Sequence, residues 1–245
     1  MRTGKRLSQL LNSSETLSIN RDSRLILLSD CHRGDGSWKD DFAHNQQVYY
    51  HALEYYYDKG FSYLELGDGD EMWELSRFRD IKAEYPHVYE LLARFNADGR
   101  LHVLWGNHDD FKKKKHAPVK HFASYFHEPS RKQKTLMPSI GFKESLILRY
   151  EEHETPILLV HGHQGDFIND QAAALGKFLV RNLWGNLQAA GIKDPTSSAV
   201  NIEKKNKVER RLLTWTAGNK VILIAGHTHR AMFPAPGEIR YFNTG

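Results

Sequence analysis

Six of the 14 histidines in this chain, His32, His108, His161, His163, His227 and His229, fall where apolar runs stop, in the company of glycine or aspartate. Solvated surface imidazoles would not sort themselves that way. The polar groups at the same run ends are Asp30, His32, Asp68, Asn107, His161, His227 and His229, a mixed set of carboxylate, amide and imidazole donors. Such N and O donors without thiolate suit Mn, Fe or Zn better than a copper or iron–sulfur centre. Seven donors exceed what one ion of about four to six ligands needs, but match two ions sharing a bridging carboxylate, with water completing each shell. Two ions ~3.5–4 Å apart can hold a hydroxide between them and clamp a phosphoryl oxygen, as in-line attack on phosphorus requires.

The elements that must position these residues are buried strands. Leu101 to Leu104 runs into Gly106-Asn107-His108-Asp109, and Arg24 to Ser29 into Asp30-Cys31-His32. Ser62 to Leu66 ends in Gly67-Asp68, Pro156 to Val160 in His161-Gly162-His163, and Val221 to Ala225 in Gly226-His227-Thr228-His229. Apolar runs closed by a glycine read as strands whose tips turn sharply. In open α/β sheets those tips are where ligands bind. Glu144 to Arg149 pairs with Pro156 to Val160 as a hairpin.

Between the strands the periodicity predicts helices. One spans about Asp40 to Lys59, with Val48, Tyr49, Ala52, Leu53 and Tyr56 on one face, Asp40 or Asp41 capping it and Gly60 closing it. Helical sequence follows from Trp73 to Ala83, and again from Pro86, a good first helical residue, to Asn96. Residues up to about Asp22 are polar and weakly patterned and read as an N-terminal extension on the surface; residues 23–245 read as one domain. Residues 110–142 form a basic insertion with Lys112 to Lys115 and Arg131 to Lys134, read mainly as a solvated loop that can steer phosphates. Residues 166–217 read as a helical cap insertion, with Leu175, Phe178, Leu179, Leu183, Trp184 and Leu187 as one stripe and a second helix from Ser197 to Ala217; the plainer reading of the same stripe is an ordinary helix pair packed on the sheet, and the functional one is a cap that supplies an apolar wall over the site.

Composition sets the class. The chain has 245 residues, 40% hydrophobic, enough for an α/β domain with a substantial core. A formal charge of +4 suits an anionic substrate without implying nucleic-acid binding. The lone Cys31 cannot form an internal disulfide and reads as a buried packing residue. No signal-like or membrane-length apolar run stands out, so the expectation is a cytoplasmic protein without a transmembrane segment.

With the motifs in view, the chain resembles the calcineurin-like metallophosphoesterase superfamily. That family carries Asp-x-His, Gly-Asp, Gly-Asn-His-Asp, a later His-Gly and Gly-His-x-His at successive strand ends. Here the matches are Asp30-Cys31-His32, Gly67-Asp68, Gly106-Asn107-His108-Asp109, His161-Gly162 and Gly226-His227-Thr228-His229, in the same order. The resemblance implies a four-layer αββα sandwich of two mixed β-sheets flanked by helices. It implies that Asp30, His32 and His229 bind one ion, that Asn107, His161 and His227 bind the other, and that Asp68 bridges them. His163, two residues past His161 and on the same side of an extended chain, is the alternative ligand. His108 is then not a ligand: in the family it lies over the phosphate and assists the leaving oxygen, with Asp109 orienting its ring. Asp70, Glu71 and Asp166 fall near the rim, in supporting or solvated roles.

Within the superfamily, the run Gly67-Asp68-x-x-Glu71-x-Trp73 and the helical insertion are similar to UDP-2,3-diacylglucosamine hydrolases, which commonly carry Arg where this chain has His108. The functional expectation is a phosphoesterase dependent on two divalent ions, Mn²⁺ first and Fe or Zn next. It hydrolyses a phosphomonoester, phosphodiester or pyrophosphate of a small molecule, nucleotide or lipid through metal-activated hydroxide. The rivals are a nuclease, which predicts salt-sensitive binding through the basic runs, and a non-catalytic scaffold of the same fold.

Overall fold

The computed structural model describes residues 2–165 and 202–245. Its contacts divide the chain into two compact units, Ser23–Lys143 and Met1–Asp22 with Glu144–Gly245. Each has its own main sheet, and the protein is α/β, with one parallel sheet, one mixed sheet and a two-stranded antiparallel sheet among the described residues.

The Ser23–Lys143 unit contains four parallel strands, β2 (Leu25–Leu28), β3 (Ser62–Leu66), β4 (Leu101–Leu104) and β7 (Phe142–Lys143), adjacent in that order. A mixed sheet was expected here. The parallel arrangement follows from the crossovers, since α2 (Gln46–Asp58) returns the chain from β2 to β3, and α3 (Phe78–Glu84) and α4 (Pro86–Ala97) return it from β3 to β4. Parallel strands put all their C-terminal ends at one edge, so Asp30, Asp68 and Asn107 reach a common rim.

Two of these helices start later than the sequence suggests. Asp40 does not cap α2; its carboxylate accepts the Gly36 and Phe42 backbone N–H groups at 2.8 and 3.0 Å and organises the preceding loop instead. Glu71 accepts the backbone N–H of Trp73 at 2.8 Å and of Glu74 at 3.1 Å, which holds that stretch as a turn until Phe78. Pro86 sits in the first turn of α4 as expected, and Gly60 follows α2 with φ +77°, a conformation glycine adopts without a Cβ penalty. The core is aromatic: Tyr49, Tyr63, Phe78, Tyr85, Tyr89 and Phe95 are all buried, so the tyrosines of α2 include packing residues. Residues 110–142 contain short helical turns and an antiparallel hairpin, β5 (Ser124–His127) and β6 (Lys132–Thr135).

The other unit has five strands in the order β1 (Thr16–Ile19), β8 (Ser145–Tyr150), β9 (Ile157–Val160), β10 (Ile222–Ala225) and β11 (Tyr241–Asn243). Only the β8–β9 pair is antiparallel. The segment up to Asp22 is not a surface extension. Arg2–Ser13 forms α1, whose Leu7 and Leu10 are buried, and β1 pairs with β8 from Thr16 opposite Ile147 to Ile19 opposite Tyr150. Cutting Leu7 back to alanine in such a setting costs ~2–5 kcal/mol, so this segment is structural. A further helix, α5 (Ile202–Ala217), buries Val208, Leu212 and Trp215, and the Trp215 indole N–H donates to Ser8 Oγ on α1 at 3.0 Å. Asp166 and the stripe from Leu175 to Leu187 lie outside the described residues. Among the described residues no helix is long and apolar enough to cross a membrane.

Candidate metal centre

Backbone pairing continues past the ends of β2 and β3. Asp30 N donates to Gly67 O at 3.1 Å, His32 N to Asp68 O at 2.9 Å and Arg33 N to Gly69 O at 3.0 Å. The two tips are thereby locked side by side. The tip of β4 is tied in by His108 N, which donates to Asp68 Oδ1 at 2.8 Å. Gly106 permits that approach: a Cβ there would lie 2.2 Å from Asp68 Oδ1 and 2.8 Å from Asp68 N.

Glu71 is the hub of this rim. His32 Nδ1 lies 2.9 Å, and His108 Nδ1 2.7 Å, from the same Glu71 oxygen. Burial alone would raise the Glu71 carboxyl, but His108 and His32 overcome it and hold it well below the usual carboxylate range. An ionised carboxylate only accepts, so both rings carry hydrogen on Nδ1, which leaves His32 Nε2 available as a ligand atom. That nitrogen is 3.9 Å from Asp30 Oδ1 and 4.0 Å from Asp68 Oδ2. Those separations exceed a hydrogen bond, but suit atoms sharing a cation with bonds of ~2.0–2.2 Å. Burial opposes a charge on His32, yet Glu71, Asp68 and Asp30 push its pKa up to about 10. The spot attracts positive charge.

Sequence reasoning assigned the orienting of His108 to Asp109, and the structure corrects this. Asp109 is fully buried and accepts Gly106 N at 2.7 Å, Gly69 N at 3.1 Å and Lys112 Nζ at 2.6 Å; Glu71 holds the His108 ring. The sequence reading placed Glu71 near the rim, in a supporting or solvated role, without giving it the His108 ring.

Lys112, read as part of a solvated run, is also corrected. It is buried beneath the rim, 2.6 Å from Asp109, 2.7 Å from Asp70 and 3.5 Å from Glu65. Arg33, equally buried, takes Glu65 through both terminal nitrogens and Asp70 through Nε at 2.8 Å. Burial raises the Asp70 carboxyl, but Arg33 and Lys112 outweigh it and hold it well below the usual range. The acidic trio Glu65, Asp70 and Asp109 is thus served by two fixed cations and is no metal site. The Cys31 thiol packs against the aromatic core, where burial pushes its pKa up to about 12, so it is no nucleophile at neutral pH.

In the other unit, β9 and β10 deliver imidazoles the same way. Gly226 N donates to His161 O at 2.8 Å, extending the pairing beyond both strands. His161 and His163 are both buried, and the His161 ring centroid lies 5.0 Å from that of His227 and 5.5 Å from that of His163. Gly162, at φ +116°, passes so close to the facing loop that a Cβ would sit 3.1 Å from Gly226 O. Asn243 Nδ2 donates to Gly226 O at 2.8 Å and lies 3.2 Å from Thr228 Oγ1, while Thr228 Oγ1 donates to Glu209 at 3.1 Å. These props fix the loop that ends in exposed His229. The sequence reading assigned no role to Asn243 or Glu209.

One backbone feature links both rims. Among the described residues six non-glycines have left-handed φ: Asp30 (54°), His32 (49°), Asp68 (51°), His227 (72°), His229 (50°) and Arg131 (49°). Five of the six belong to the donor set, and such strain of ~1–3 kcal/mol per residue persists where side chains must be aimed for a task. The donors fit divalent ions on chemistry as well, with neutral-capable imidazoles, carboxylates and an amide but no thiolate. No protein-family model matches the chain, and no curated protein matches it.

Proposed function

We propose that this chain is a phosphoesterase dependent on two divalent metal ions. The observation that carries this is the left-handed backbone at Asp30, His32, Asp68, His227 and His229, five of the seven residues that the motif resemblance makes ligands. In this reading Asp30, His32, Asp68 and Asn107 on one unit and His161, His227 and His229 on the other hold the pair, and the two sheets form the four-layer αββα sandwich. When bound, the ions, Mn²⁺ first among them, supply Lewis acidity and an activated water.

The chain's own residues do the rest. Glu71 takes His108 through Nδ1, so Nε2 is the nitrogen that gives its proton to the departing ester oxygen. The bridging role fits Asp68, whose Oδ1 is held by His108 N and whose Oδ2 faces His32. Anionic substrates are favoured by residues 111–143, where nine Lys and Arg stand against one acid, Glu128. Seven of those cations, Lys113, Lys114, Lys115, Lys120, Arg131, Lys132 and Lys134, are exposed and able to steer phosphates. A phosphorylated small molecule, nucleotide or lipid is the substrate class, and lone Cys31 suits a reducing cytoplasm.

The test is hydrolysis of p-nitrophenyl phosphate and its bis ester by Mn²⁺-loaded protein, extended to nucleotides and lipid pyrophosphates. His108→Ala should keep its metal and lose kcat by ~10²–10⁴-fold. Wild-type protein that binds Mn²⁺ yet hydrolyses none of these overturns the proposal in favour of a scaffold.

A further inference from the structure

We propose that Trp73 is a positioning residue that clamps the His108 ring and the Asn107 peptide in one orientation; this rests on the phosphoesterase reading above. The indole and the His108 imidazole are stacked, with ring centroids 4.7 Å apart and planes within 16°. The indole N–H donates to the carbonyl of Asn107, the residue before His108. Trp73 N donates to Glu71 Oε1 at 2.8 Å, while the other Glu71 oxygen takes His108 Nδ1 at 2.7 Å. Met72 N donates to His108 O at 3.2 Å. A single tripeptide, Glu71 to Trp73, therefore restrains the imidazole on its face, at one nitrogen and at its backbone.

What remains open is informative. His32 meets the His108 ring edge-on at 4.5 Å, and Nε2 of His108 has no protein partner among the described residues. The clamp leaves free the one atom that proton donation uses. Trp73 is partly buried at the rim. A donor held in this way has little freedom to rotate, and small misplacements at a reacting centre are costly.

The experiment compares wild type, Trp73→Phe and Trp73→Ala, all loaded with Mn²⁺ for kinetics and with diamagnetic Zn²⁺ for NMR of histidine-labelled protein. The His108 ring signal is assigned by its loss in His108→Asn. Trp73→Ala should lower kcat on p-nitrophenyl phosphate by about 10- to 100-fold with KM within about twofold. Trp73→Phe, which keeps a ring but no N–H, should fall between, and it carries the test if the alanine variant does not fold. The wild-type His108 Hε1 resonance should lie upfield from the indole ring current and move downfield in Trp73→Ala. Unchanged kcat, a loss confined to KM or a His108 signal indifferent to Trp73 each overturns the clamp. If wild type has no activity, the phosphoesterase reading fails, and the His108 resonance alone decides whether the clamp exists.

Discussion

Replacing Lys112 by methionine probes the ionic cluster beneath the rim. The ammonium is buried within 2.6 to 2.7 Å of Asp109 and Asp70, and Arg33 is the other cation there, already committed to Glu65 and Asp70. Methionine roughly matches the stem but leaves Asp109 and half of Asp70 uncompensated. Breaking a buried pair by removing one partner costs ~3–5 kcal/mol, whereas the exposed neighbour Lys114 converted to methionine should stay within ~0.5 kcal/mol. With a urea m-value toward ~3 kcal/mol/M, the Lys112→Met midpoint should drop by about 1 M or more. The pH dependence has a definite sign. In wild type Asp70 is held below its unfolded pKa, so its contribution is present above that value and lost as pH falls through the folded one. Without Lys112, burial dominates and raises the folded carboxyl pKa, so the folded variant binds protons more readily than the unfolded chain. The variant's deficit should therefore be larger at about pH 8 than at about pH 5. A Lys112→Met protein as stable as Lys114→Met, or with a deficit independent of pH, refutes the reasoning.

Three other substitutions probe the rims. Glu71→Gln removes the anionic acceptor shared by His32 and His108 and should cost ~10–100-fold in Mn²⁺ affinity or activity, read by titration calorimetry beside turnover. Gly106→Ala places a Cβ 2.2 Å from Asp68 Oδ1 and 2.8 Å from backbone, so it should destabilise by ~1–3 kcal/mol and weaken Mn²⁺ binding. Asn243→Ala frees Gly226 O and Thr228 from their buried donor and should cost ~1–3 kcal/mol in thermal unfolding, with weaker metal binding through His227.

Strand ends were legible in the sequence because an apolar run that halts at glycine has few other readings. Helix α4 was legible for the same kind of reason, with Pro86 at its start and Asp98-Gly99 past its end. The first 22 residues were not: α1 needs only a narrow stripe, Leu7, Leu10 and Leu11, and in so polar a helix that stripe is easily missed. Lys112 could not be told from Lys113, Lys114 and Lys115 by local sequence, since its burial depends on acids from β3 and the loop after it. The exchange of Asp109 for Glu71 as the His108 partner has the same origin. The family resemblance implied Asp109, but the turn after Gly106 aims that carboxylate inward toward Lys112.

Metal stoichiometry, measured by elemental analysis of protein dialysed after Mn²⁺ loading, bears on everything proposed for the rims. Wild type should retain two ions per chain, with Asp68→Ala losing both or nearly so and Lys114→Met retaining both. A wild type that retains none, or an Asp68→Ala protein that retains the full complement, would contradict a dinuclear centre bridged by that carboxylate.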